Sequence, residues 1–161
     1  MSKFRFLYCI FCTCLLMACN SNPDGVFPDN FVTCDVNGLV WDSIFASAVV
    51  DDTDGVFNIS IEATNVDLES IFINLTGNSV DGLFNFNNAG TNRMAYAPSG
   101  LIFNQGTLMS QDCFPALGRV IISEHDEINK TISGSFEAYV CDFTGTNLVS
   151  LSNGFFNKIS Y

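Results

Sequence analysis

Basic residues are scarce in this chain: six Lys and Arg stand against 17 Asp and Glu in 161 residues. It has one His and one Trp. Beyond residue 19 no apolar run approaches the ~20 residues of a membrane-spanning helix. Each shortage excludes something. An acidic surface repels nucleic acid and anionic headgroups, so no nucleic-acid partner is expected. A single His, with no C-x-x-C spacing after residue 19, gives zinc no donor set, and neither a metal nor a cofactor is expected. No G-x-S-x-G elbow accompanies His125, which removes the usual support for a Ser–His–acid hydrolase. Helical periodicity is also missing: no window of roughly twelve residues after Cys19 repeats its apolar positions at helical spacing. The expectation is a protein that is not an enzyme.

The first nineteen residues do carry a pattern. Lys3 and Arg5 give a positive start, Phe4 to Met17 form a short apolar run, and small Ala18 sits before Cys19. As a helix that run would span roughly 21 Å, too little for a hydrocarbon core of about 30 Å. A cleaved signal fits better, and an ordinary secretory signal is the closer rival. The Leu16-Met17-Ala18-Cys19 ending favours a lipoprotein signal. On this reading residues 1–18 are removed and Cys19 is acylated. Two or three acyl chains, at about 0.8 kcal/mol per buried methylene, then hold the protein on a membrane. The expected address is the outer membrane, lipid-anchored, facing the periplasm or the cell surface. Removing Lys3 and Arg5 leaves four basic residues against 17 acidic ones, a net charge of −13 over 143 residues.

Three cysteines survive besides Cys19. Alternation places Cys34 on an apolar face with Val32 and Val36. Cys141 shares a more polar face with Glu137 and Tyr139, and Cys113 lies in a turn-like stretch before Phe114-Pro115. A Cys113–Cys141 disulfide is expected, with Cys34 buried and free.

Phe, Ile, Val and Thr fill the apolar positions, broken by Gly, Asn, Asp and Ser, which is the vocabulary of strands and turns. Residues 19–30, polar with two prolines, read as a tether. The remainder, 31–161, reads as one all-β domain of about nine or ten antiparallel strands, a sandwich or a small barrel. Asn37-Gly38 marks a hairpin between Phe31–Val36 and Leu39–Asp42. Further strands are expected at 44–50, 56–64, 69–75, 82–87, 93–97, 100–103, 119–123, 131–142 and 148–160. Gly-x-Phe steps at Gly82, Gly134 and Gly154 read as hairpin starts.

Several of these segments resemble a known group. Gly118-Arg119-Val120-Ile121-Ile122, Asp126, the stretch Asn129 to Phe136 and the final Leu151 to Ile159 look like blocks of small Bacteroidetes lipoproteins of unknown function. Val36-Asn37-Gly38-Leu39-Val40-Trp41 is similar to the opening of their mature domain. The resemblance implies an all-β envelope lipoprotein and carries no catalytic residue.

Other candidate sites have plainer readings. Asp51-Asp52-Thr53-Asp54-Gly55 resembles part of a calcium loop, but Val50 and Ile61 stand where ligands are needed, and a hairpin turn accounts for it. Asp42-Ser43-Ile44 matches a short O-glycan acceptor pattern, making Ser43 a candidate. Asn58, Asn74 and Asn129 open N-glycosylation sequons, meaningful only in a host with that machinery. Trp41 and the many Phe side chains either fill a core or line a sugar- or lipid-binding face. Two functions follow: a membrane-anchored, non-catalytic module binding an envelope protein or glycan, or a lipocalin-like carrier of an apolar small molecule.

Overall fold

Asn37 and Gly38 both adopt positive φ, 52° and 81°, and so close the tight hairpin joining β1 (Phe31–Val36) to β2 (Leu39–Thr53). Asp54 and Gly55 repeat the device, with φ of 56° and 79°, before β3 (Val56–Asn65). The structure, a computed structural model, describes residues 27–98 and 106–161. Its remaining strands are β4 (Ser70–Gly77), β5 (Gly82–Asn85), β6 (Arg93–Ala97), β7 (Leu108–Met109), β8 (Gly118–Asp126), β9 (Thr131–Cys141) and β10 (Leu148–Ser160). The strand expected at 100–103 lies outside the described residues. The two strands expected at 39–42 and 44–50 are one 15-residue strand, β2. Its register slips between Ser43 and Phe45, and this bulge lets both Ser43 and Ala46 point inward despite their odd spacing.

The strands close into a barrel, which decides between the two expected architectures. Eight pair in the order β10-β1-β2-β3-β4-β6-β7-β9, and β9 pairs back onto β10. Strands β8 and β5 branch from the first part of β9, so the wall forks between β4 and β9. One arm of the fork is β6–β7, the other β8–β5. The β6–β7 arm meets β9 through a single residue pair, Met109 with Cys141.

Asparagine side chains bridge the fork where ladder hydrogen bonds are missing. Asn88 donates through Nδ2 to the carbonyls of Gln111 (3.2 Å) and Cys113 (2.8 Å), and its Oδ1 accepts from Ala116 N–H at 3.0 Å. Asn92 accepts from Thr76 N–H at 2.8 Å and donates to the Asn85 carbonyl at 3.3 Å. Each amide thus supplies both a donor and an acceptor, as a peptide group would.

Inward-pointing side chains from all the arms form one cluster. It includes Ile59, Ile73, Met94, Val120, Ile132, Phe136, Phe156 and Ile159, and each such large side chain contributes about 1.5–3 kcal/mol on burial. The Gly-x-Phe steps have a second use here. Gly134 lies directly opposite Phe156, and Gly154 opposite Phe136, across the β9–β10 ladder. A Cβ on Gly134 would stand 2.6 Å from the Phe156 ring, and one on Gly154 2.5 Å from the Phe136 ring. Each ring therefore covers the opposed glycine in mid-strand. Only Gly82 begins a strand, which corrects the reading of all three as hairpin starts.

The ordered domain begins before residue 31. Phe27 packs on Phe155, ring centroids 4.9 Å apart, and on Phe31 at 5.9 Å. Asn157 Nδ2 donates to the carbonyls of Phe27 and Pro28, and Lys158 pairs with Asp29 at 3.4 Å. Residues 27–30, assigned to the tether on composition, are therefore pinned to the outside of β10.

This docking gives the barrel a polarity. The N-terminal rim carries the turns ending β2, β4 and β8, with Asp51, Asp52, Asp54, Asp81, Asp126 and Glu127. The far rim carries the β1–β2, β3–β4 and β9–β10 connections, where Leu39, Leu68, Phe143 and Leu148 are all exposed.

Candidate functional site

A groove of about 430 Å³ runs over the outer face of β8, β9 and β10. Gly118 opens it: its φ of 149° and missing Cβ let β8 approach the Glu137 carbonyl and Ala138 more closely than a side chain permits. A register shift in β10 between Leu151 and Gly154 loosens the opposite wall. Asn85, Arg119, Glu137, Tyr139, Ser150 and Ser152 supply the polar lining, and Leu117 and Tyr139 stand at the far-rim end. A smaller pocket of about 160 Å³ continues past Arg119 and Glu137 towards Ser135 and Asn153.

The partition between the two is an ion pair. Arg119 faces Glu137 directly across the ladder, with Nε 2.9 Å from Oε1 and both side chains about half exposed. Such a pair contributes at most about 1 kcal/mol. The contact is made through Nε and Oε1, at the boundary shared by the two pockets.

Leu117, 51% exposed, lines the groove, and two further exposed apolar side chains, Phe114 at 93% and Phe143 at 89%, lie farther along the same two chain segments. They are held together by the bond joining Cys113 to Cys141, whose Cα atoms lie 5.1 Å apart. Tyr139 N–H donates to the Leu117 carbonyl at 3.0 Å. Cys141 keeps the outward parity of Glu137 and Tyr139 but is buried, because the segment around Cys113 covers it.

The other sequence candidates are dispersed. Cys34 is a buried free thiol inside the barrel, pushed up to about 12 by burial and then by the charges of Asp35 and Asp42. Ser43 is buried as well, and its Oγ accepts from Val32 N–H at 2.8 Å. A sugar there would displace that bond and open the strand, so the folded domain hides the expected acceptor. Cys19 lies outside the described residues. The Asp51–Gly55 run is the end of β2 and its hairpin turn, in which Asp52 accepts from Gly55 N–H at 2.9 Å. Among the described residues no group of three or more His, Cys, Asp or Glu is gathered as a metal site. His125 Nε2 bonds the Tyr161 hydroxyl at 2.6 Å rather than a nucleophile. Trp41 is buried in the barrel, and its Nε1 has no partner.

Sequence reasoning noticed the polar face of Glu137 and Tyr139 but not the groove. Its walls come from three strands and the turn before β8, and pairing register alone aligns them.

No curated protein and no solved structure matches the chain. A family model, Domain of unknown function (DUF6252), matches residues 29–160. That span starts within the segment pinned to β10 and ends at the last residue of the closing strand. The chain belongs to the DUF6252 family, and the family's domain is this barrel.

Proposed function

We propose that this protein is a lipid-anchored, non-catalytic binding module of the bacterial cell envelope. It would engage an envelope protein through the β8–β10 groove. One observation carries the reading: the groove opens at the far rim, where Leu39, Leu68, Phe143 and Leu148 are exposed, while the N-terminal segment docks at the opposite rim. A chain anchored through Cys19 has eight residues to reach Phe27, at most about 28 Å. The acidic rim then faces the membrane and the groove faces outward. Half-exposed Tyr139 and Arg119 are the residue types that dominate protein interfaces. Among the described residues no helix is long and apolar enough to cross a membrane.

The test has two arms. Cys19→Ala is expected to abolish fatty-acid labelling and to leave processed protein in the soluble fraction; persistent labelling refutes the anchor. Crosslinking in native membranes is expected to recover a discrete partner, lost in Tyr139→Ala. Recovery that is blank, or indifferent to this substitution, refutes the groove.

A second reading is favoured by the closed barrel and the partnerless Trp41 Nε1 inside it. A lipocalin-like carrier would place the acceptor atom of an apolar ligand against that donor. Stoichiometric lipid in a solvent extract of purified protein would favour this reading; a lipid-free extract rejects it.

A further inference from the structure

On a different wall of the barrel, a groove of about 440 Å³ crosses the outer faces of β3, β4 and β6. We propose that it binds an oligosaccharide bearing a carboxylate, with Arg93 receiving the charge. Register sets out the site. Ser60, Asn74 and Arg93 are direct cross-strand neighbours in one row over three strands, roughly 10 Å from end to end. Asn58 and Thr76 form the adjacent row.

Hydrogen bonding within these rows consumes acceptors. Ser60 Oγ donates to Asn74 Oδ1 at 2.8 Å, and Thr76 Oγ1 donates to Asn58 Oδ1 at 3.2 Å. Both amide oxygens are engaged, so the Nδ2 groups of Asn58 and Asn74 remain as donors. The Arg93 guanidinium adds a fork of donors that matches a carboxylate. It is the cation left over. Lys158 pairs with Asp29, Arg119 with Glu137, and Lys130 lies over the Tyr161 ring, whereas Arg93 has no ion-pair partner among the described residues. A wall that offers donors fits a ligand rich in acceptors.

Charge narrows the class. One cation on a strongly acidic protein does not hold a polyanion. It does hold a single carboxylate carried on a polyhydroxylated body, whose oxygens meet the Asn donors. Asp51, opposite Asn58 on β2, repels a second charge there and so points the carboxylate towards Arg93.

The test uses the purified full-length protein in detergent and three probes: an aldotriouronic acid (xylobiose bearing one glucuronic acid, and so a single carboxylate), its carboxyl-reduced neutral analogue, and inorganic sulfate. Calorimetric titration is expected to show saturable binding of the uronate that weakens with salt, with the neutral analogue at least tenfold weaker. Arg93→Gln should weaken uronate binding about tenfold or more, and Asn74→Ala several-fold. Arg119→Gln, in the other groove, should leave it unchanged. Thermal melts confirm that the variants, all altered at exposed positions, remain folded. Absence of saturable uronate binding overturns the proposal, as does binding indifferent to Arg93→Gln. Sulfate binding as tight as the uronate also overturns it, because the sugar would then contribute nothing.

Discussion

Removing the bond between Cys113 and Cys141 should cost this barrel a large share of its stability, because the bond guards the weakest seam in the wall. Strand β7 has two residues and meets β9 through one pair, Met109 with Cys141. The bond closes a loop across a sequence separation of 28. Chain-entropy reasoning for a loop of this size gives roughly 3.5 kcal/mol at 25 °C. Over the 132 residues of the family domain the unfolding entropy is roughly 0.28 kcal/mol/K, so the melting temperature should fall by about 12 °C. Urea titration of the Cys113→Ala/Cys141→Ala double variant, followed by the fluorescence of the single Trp, buried Trp41, measures the loss directly. Hydrogen exchange should locate it, with the amides of Leu108 and Met109 losing protection before those of β2 and β3. A loss below about 1 kcal/mol, or a melt insensitive to reductant, refutes the reasoning: the seam would then be held by its packing alone.

The other predictions concern the fork, the glycine–ring pairs and the buried thiol. Asn88→Ala removes three hydrogen bonds and should cost about 2 kcal/mol in denaturant unfolding; Asn88→Asp, which keeps the acceptor and loses both donations, should retain part of it. Gly134→Ala places a methyl 2.1 Å from the Ile121 carbonyl oxygen and should cost about 3 kcal/mol, whereas Ser135→Ala next to it, on the outward face, should be near neutral in the same melt. Cys34 should ignore thiol reagents at pH 8 until the protein is unfolded. Its folded value of about 12 lies above the ordinary value of 9.0, so its contribution to stability is intact below pH 9 and is lost as pH rises from 9 to 12; Cys34→Ala should flatten that alkaline fall.

Asn37-Gly38 and Asp54-Gly55 were legible because a tight hairpin turn asks for positive φ at both of its central residues, which these pairs adopt cheaply. The Cys113–Cys141 partnership followed from Cys34 standing on an apolar face. Merging of the expected strands at 39–42 and 44–50 was not legible, because a bulge at Ile44 restores the inward phase that alternation seemed to lose. Strand β7 escaped because two residues carry no periodicity. The Asn-rich stretch 85–92 reads as turn composition, and its role in bridging the fork depends on a gap that exists only once β8 has paired with β9. Both grooves are products of register. Ser60, Asn74 and Arg93 are separated by 14 and 19 positions in sequence, and only the β3–β4–β6 ladder sets them in a row.

Site-specific photocrosslinking in intact cells tests the central claim most directly. A photoreactive residue replaces Leu117, beside the groove at the far rim, and in a parallel strain replaces Asp54 at the N-terminal rim. The account predicts one discrete protein adduct from position 117, abolished by Tyr139→Ala, and none from position 54. Equal adduct patterns from both positions, or no adduct from position 117, would contradict it.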